Sequence, residues 1–563
     1  MPYKDLREWI ARIDKSGDLR RIQQPVSPYL EMAEIADRTA KLRRNGAPWG
    51  GPALLFENII GHPGARVLMN QFGSEDRMKL ALDLNPATDS LDAIADRIRI
   101  LIKPETPTSL LDKLKLLPKL AEIGSFFPKL IDRDVAACKE VIRKGPDVDL
   151  TELPVLTTWP GDGGPFITLP CVITRGPASP TGQPGKRNVG MYRMQVYDRN
   201  TTGMHWQRQK VAAEQMRDRL RATTATTAEA VDLMAQTAGG TTAESATNPG
   251  APSSRAQRER VGSSSSQLYG HPQTLSQTTI TKIKNSRLEV AVAIGTDPAT
   301  TFSAIVPAPP EVEEYLIAGF LRGKPVELVR AETVDLEVPA HAEYILEGYV
   351  DLAELRSEGP FGDHTGFYTM PDDYPVFHLT AITHRKNPIY AATVVGKPPM
   401  EDAWMGKAVE RIFLPLMQLT LPEIVDVCLP PEGVFHNLMI VSIRKSYAGH
   451  ARKVMSGIWA LGQAMFTKCI IVVDEDCNPH DLAEVTLRTS NNIDPERDIQ
   501  FTLGPVDSLD HASRLPNFGS KMGIDATRKW PAEGFHRPWP PMLTMPPEVK
   551  SRVDSLWKKL RIE

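Results

Sequence analysis

Leu6, Trp9, Ile10 and Ile13 recur at helical spacing before Ser16-Gly17 interrupts them, which predicts a helix over 4–14. A second helix is predicted through LEMAEIADRTAKL, and the apolar runs ALLFENI and ARVLM read as strands of a small α/β unit over 1–110. Leu110–Ile131 is amphipathic but punctuated by Pro118 and Pro128. Those breaks weaken a membrane-surface or partner-docking reading and favour a helical connector over 111–135. From Leu153 the texture is strand-like: ITLPCVITRG, a Gly/Pro-rich turn at 176–186, then NVGMYRMQVYDRN. RLEVAVAIG alternates Leu288, Val290, Val292 and Ile294 with smaller or polar residues, and EVEEYLIAGFL has helical spacing. KPVELVRA, EYILEGYVD, FHLTAITHR and IYAATVVG add strands, so a closed or split β-barrel is predicted over 136–396.

Residues 218–285 depart from this pattern, with TTATTAEA, TAGGTTAESATNPGAPSS and VGSSSSQ. So few large apolar side chains cannot offset ordering entropy, and a disordered surface insert is predicted, with a short helix around Glu214–Arg221. Over 397–563, LMIVSI, HARKVMSGIWALGQAMF and CIIVVD alternate strand, helix and strand, and Asn478-Pro479 reads as an N-cap and first turn. That alternation predicts βαβ units on a parallel sheet, followed by an amphipathic helix, EVKSRVDSLWKKL. The predicted fold class is thus multidomain: an N-terminal α/β domain, a central barrel and a C-terminal α/β domain.

Composition narrows the function. The chain has 563 residues and a formal net charge of -3, leaving no basic excess to neutralise a nucleic-acid backbone. MPYKDLREWI lacks a basic n-region followed by an apolar run, and no apolar run approaches a membrane span. The five cysteines, Cys138, Cys171, Cys428, Cys469 and Cys477, form no CxxC pair and read as reduced thiols of a cytoplasmic protein.

Two stretches carry candidate chemistry. In Asn188–Lys210, Val189 and Met191 share one strand parity and Met194 and Val196 the other, which predicts a bulge near Tyr192–Arg193 beside Gly190. The bulge would bring Asn188 and Arg193 to one face; a half-buried strand whose arginine snorkels to water fits the same pattern. In Glu358-Gly-Pro-Phe-Gly-Asp363, Gly359 and Gly362 permit tight geometry that can hold both acids near one pocket. Two close carboxylates predict one raised pKa, with Arg193 holding the other ionised; a surface turn with solvated acids is the alternative. His364 reads either as a proton shuttle or as a packed histidine, and Asp474-Glu-Asp476 as a structural loop.

NVGMYR, GMHW, SEGPFGDHTG, YAGHARKVM and GSKMGIDATRKWP, in that order, resemble the UbiD family of prenylated-FMN-dependent decarboxylases. The resemblance implies a flavin-reductase-like split barrel and a catalytic set of Arg193, Glu358 and Asp363. Asp363 would protonate the carbon that loses CO2, while Glu358 and Arg193 position the carboxylate and tune proton traffic. It places Met191, Tyr192, Arg193, His205, Trp206, Gln207, Lys210 and Val211 around prenylated FMN. Asn188 and Glu314 would ligate Mn2+ or Mg2+, with K+ as a further ion. Many family members read HWQRHK where this chain reads HWQRQK, so Gln209 offers an amide at the position of a histidine ligand. The resemblance also implies a small carboxylic acid substrate, a flavin prenyltransferase as cofactor supplier and a homo-oligomer, dimer or hexamer. The substrate texture is that of a 4-hydroxy-3-polyprenylbenzoate in ubiquinone or menaquinone biosynthesis, which would bring the enzyme to the periphery of the inner membrane. A soluble phenolic acid, or a degenerate flavin-binding protein without turnover, are the alternatives.

Overall fold

Asp5 opens the first helix, Leu6–Lys15, by accepting a hydrogen bond from the Glu8 amide, and Leu6, Trp9, Ile10 and Ile13 are its buried face. In this computed structural model the described residues are 3–43, 49–102, 121–179, 181–224, 286–308 and 312–560. Residues 111–120 of the predicted connector and 225–285 of the predicted insert lie outside them. The helix expected at Glu214–Arg221 runs over Val211–Thr224.

The helix Glu31–Ala40 and the strands Leu19–Ile22, Ala53–Phe56 and Arg66–Met69 form the N-terminal layer. Its sheet is completed by Ile389–Ala391, parallel to Arg66–Met69. That strand was expected in the central barrel. Ile389, Tyr390 and Ala391 are all buried, so the run has no alternation to say which sheet it joins.

The central sheet has seven strands in the order Thr201–Gly203, Asp372–His384, Tyr344–Glu358, Arg287–Ile294, Cys171–Arg175 and Arg187–Gly190, with Val141–Lys144 also on Asp372–His384. Its ladders form an open path; among the described residues none joins the two ends. The predicted bulge at Tyr192–Arg193 is instead a change of sheet. The chain leaves the central sheet after Gly190, and Met194–Gln195 pairs with Phe166–Ile167. A Cβ on Gly190 would lie 2.4 Å from the Tyr192 ring, so only glycine lets the chain turn there.

The 20-residue helix Glu401–Thr420, which the hydrophobic pattern did not predict, ties two cores together. Met405, Ala408 and Ile412 pack in the core shared by the N-terminal layer and the central sheet, Leu414 and Met417 in the C-terminal one. The C-terminal sheet has parallel strands Leu438–Ile443, Cys469–Asp474 and Phe518–Asp525, flanked by antiparallel edges Ile424–Cys428 and Ile499–Pro505. The next helix begins at Leu482, capped by Asp481, whose side chain accepts from Ala483 and Glu484, and not by Asn478. Among the described residues no helix is long and apolar enough to cross a membrane.

Candidate active site

Arg193 leaves the central sheet just past Gly190, and Glu358 ends the long strand Tyr344–Glu358. The turn that follows returns Asp363 to the same place. Its geometry needs both glycines: Gly359 has φ +100°, and a Cβ on Gly362 would lie 2.2 Å from the Trp159 ring. The guanidinium then bridges the two acids. Arg193 Nε donates to Glu358 Oε1 at 2.8 Å, Nη2 to Glu358 Oε2 at 3.2 Å and to Thr369 Oγ1 at 3.0 Å, and Nη1 to Asp363 Oδ2. The Phe361 ring lies 4.4 Å from the guanidinium carbon.

His205 completes the cluster, with Nδ1 2.9 Å from Glu358 Oε2 and its ring against Tyr374. Burial opposes the charge on Glu358, but His205 and Arg193 outweigh it and hold the carboxyl down at about 2. Of the two acids, Glu358 is thus the one that Arg193 holds ionised. The raised carboxyl near the turn is Asp402, pushed up to about 6 by burial and partly offset by His364.

Arg193, His205, Phe361 and Asp363 open on a cavity of about 360 Å³, large enough for a small ligand. Met191, Tyr192, Arg193, His205, Gln207, Lys210 and Val211 all line it, as do Asn188 and Glu314. Trp206 does not; its side chain is buried in the core. Gln209 is exposed and is not part of the wall. The expected ligand set therefore reduces to Asn188 and Glu314. The Val189 amide donates to Glu314 Oε2 at 3.0 Å, and burial raises the Glu314 carboxyl to about 7. A buried carboxylate and an amide oxygen fit a hard divalent cation, whose charge would restore the ionised carboxylate. Lys210, also depressed by burial, donates to Gln463 Oε1 at 2.8 Å and suits an anionic group such as a phosphate. The donor set thus fits a phosphate-bearing cofactor with its cation.

A second cluster of metal-ligating groups, Glu410, Cys428 and His480, is already neutralised. Lys407 Nζ lies 3.2 Å from Glu410 and 3.1 Å from Cys428 Sγ, and Arg411 also pairs with Glu410. Sequence reasoning missed Asp402, His436, Asp507 and Gln463. They come from the C-terminal half, and no motif spacing or periodicity links them to the turn.

Family models match the chain over residues 10–98, 129–244 with 255–398, and 403–526. They are the N-terminal, Rift-related and C-terminal domains of 3-octaprenyl-4-hydroxybenzoate carboxy-lyase. The chain belongs to the UbiD family and is a carboxy-lyase of that class. It is 46% identical over 562 residues to an uncharacterized protein of Archaeoglobus fulgidus, covering 100% of this chain and 99% of that one. An uncharacterized protein of Aquifex aeolicus is 42% identical with the same coverage. Among solved structures, the closed form of Sedimentibacter hydroxybenzoicus vanillic acid decarboxylase is similar with a TM-score of 0.74 and 26% identity, covering 100% of both chains. The UbiD-class enzyme HmfF from Pelotomaculum thermopropionicum in complex with FMN is similar with a TM-score of 0.68 and 25% identity, covering 97% of this chain and 98% of that one.

Proposed function

We propose that this chain is a prenylated-FMN-dependent, non-oxidative decarboxylase of an aromatic or α,β-unsaturated carboxylic acid. The observation that carries the reading is one buried guanidinium bridging Glu358 and Asp363 on the wall of a cavity that also presents Asn188 and Glu314. Prenylated FMN, when bound, supplies the electron sink that no side chain offers to a carbon losing CO2. Asn188 and Glu314 would hold Mn2+ or Mg2+ against its phosphate, with K+ beside it and Lys210 adding charge. The central sheet, read as a flavin-reductase-like split barrel, presents those residues together.

Arg193 orients the substrate carboxylate and, with His205, keeps Glu358 ionised. Phe361 over the guanidinium limits its access to water. Asp363, at the cavity edge of the turn, delivers a proton to the carbon that has lost its carboxylate. The substrate class we favour is a 4-hydroxy-3-polyprenylbenzoate of ubiquinone or menaquinone biosynthesis, handled at the periphery of the inner membrane by a cytoplasmic homo-oligomer. A soluble phenolic acid is the second reading, and similarity to a vanillic acid decarboxylase supports it. The test is co-production with a flavin prenyltransferase, then flavin absorption, metal content and CO2 release from a panel of both acid types. Retained cofactor and CO2 from one acid type selects the substrate class. Retained cofactor with no turnover on any acid sinks the reading in favour of a flavin-binding protein.

A further inference from the structure

Asp363 faces a second carboxylate across one histidine. The His364 amide donates to Asp363 Oδ1 at 2.8 Å, and His364 Nδ1 lies 3.6 Å from Asp363 Oδ1 and 3.6 Å from Asp402 Oδ2. Asp402 belongs to the first turn of the helix Glu401–Thr420, an element with no other link to the acidic turn in sequence. Beyond His364 stands His436, with ring centroids 5.7 Å apart, and His436 Nε2 is 3.9 Å from Asp507 Oδ1. His364 Nε2, Asp402 Oδ2 and His436 Nε2 are buried atoms without a hydrogen-bond partner among the described residues. Three unsatisfied polar atoms grouped beside one acid call for a function, because each is costly to leave unpaired.

Every decarboxylation consumes a proton: the C–COO⁻ bond breaks, CO2 leaves, and the electron pair ends in a new C–H bond. Asp363 gives that proton up and must regain one before the next turnover. The Glu358 side cannot supply it, since that carboxyl is enclosed and ionised between Arg193 and His205. His364 can, because its side chain is 26% exposed while its Nδ1 faces Asp363.

The geometry points to Asp402 as a positioning residue that holds the His364 imidazole between two carboxylates, so that His364 returns a proton to Asp363 after each turnover. This rests on the decarboxylase reading above and extends it to proton supply. The His364 imidazolium passes its Nδ1 proton to Asp363, leaving the neutral ring protonated at the buried Nε2, and solvent at the exposed part of the side chain returns a proton to Nδ1. The Asp402 carboxylate favours the charged imidazole during the exchange. The raised Asp402 carboxyl lets this pull switch on near neutral pH. The charged or titratable groups facing the relay are Asp363 with its partner Arg193, His436 and, behind it, Asp507 and Lys210.

The test uses the full chain with prenylated flavin and compares Asp402→Asn, Asp402→Glu and His364→Ala. Asp402→Asn is expected to lower kcat about tenfold above pH 6 and less below it, where hydronium substitutes, with KM unchanged. Asp402→Glu should recover most of the loss, and imidazole should rescue His364→Ala. In the cofactor-free protein, the His364 side-chain nitrogen resonances should move on Asp402→Asn. An active wild type whose Asp402→Asn variant keeps the same kcat and pH profile overturns the relay alone, as do unmoved His364 resonances. A loaded wild type silent on every acid overturns the decarboxylase reading and the relay with it. If Asp402→Asn does not fold, failure of imidazole to rescue a folded His364→Ala overturns the relay.

Discussion

Arg193 is shared by two acids that play opposite parts, and the variants of each should differ accordingly. Asp363→Asn removes the proton donor while leaving the cofactor wall intact, so CO2 release should fall by roughly 10²–10⁴-fold with flavin absorption unchanged. Normal turnover by that variant would end the assignment. Glu314 leads to a different measurement. Its carboxyl is raised to about 7, and a cation needs it deprotonated, so Mn2+ affinity should climb as pH rises through about 7 and level off above. Calorimetry across that range reads the proton released, and Glu314→Gln should flatten the curve as well as weaken binding. A pH-independent affinity in the wild type would exclude Glu314 as a ligand. The same residue scale shows which member of the acid pair is held ionised and why. Two carboxylates five positions apart imply repulsion, but the spacing says nothing of His205, which reaches Glu358 from the segment after Thr201–Gly203 and, with Arg193, holds it ionised.

At the scale of elements, the acidic turn is held by contact with Trp159. Gly362→Ala would place a methyl 2.2 Å from that ring, and no flexible end can yield. The variant should lose about 1–3 kcal/mol, lower Tm by roughly 2–5 °C and cut CO2 release, since Asp363 follows directly. An unchanged melting curve would show that the turn can shift. Periodicity made much of the chain legible: the Leu6–Trp9–Ile10–Ile13 stripe is buried as the spacing implies, and so are Leu288, Val290, Val292 and Ile294, although Ala291 and Ala293 between them are buried as well. It failed where burial is two-sided or shared. Ile389–Ala391 is apolar throughout and joins another sheet, and Glu401–Thr420 divides its apolar face between two cores. The site followed the same division. Arg193, Glu358 and Asp363 sit at turns marked by glycine, whereas His436 and Asp507 reach the cavity, and Asp402 reaches His364, through packing that no local pattern encodes.

For the whole molecule, the last helix is the feature that needs a partner. Pro547–Leu560 has no buried residue, and Val549, Val553, Leu556 and Leu560 form an exposed stripe at helical spacing. A 14-residue helix is marginal in water by itself, so something must cover that stripe for the helix to persist. A second exposed apolar patch lies on the edge strand Ile499–Pro505, where Phe501 and Leu503 are 71% and 55% exposed beside Phe518. The homo-oligomer proposed for this enzyme gives both surfaces the same explanation, with the helix of one copy covering apolar surface of another. Deleting residues 546–563 should therefore convert the oligomer to monomer in light scattering while the cavity and its flavin binding remain. Val553→Asp, placed mid-stripe, should weaken assembly by a charge buried without a partner. A deletion variant that keeps the wild-type mass would show that assembly uses another face and that this helix is covered by something else.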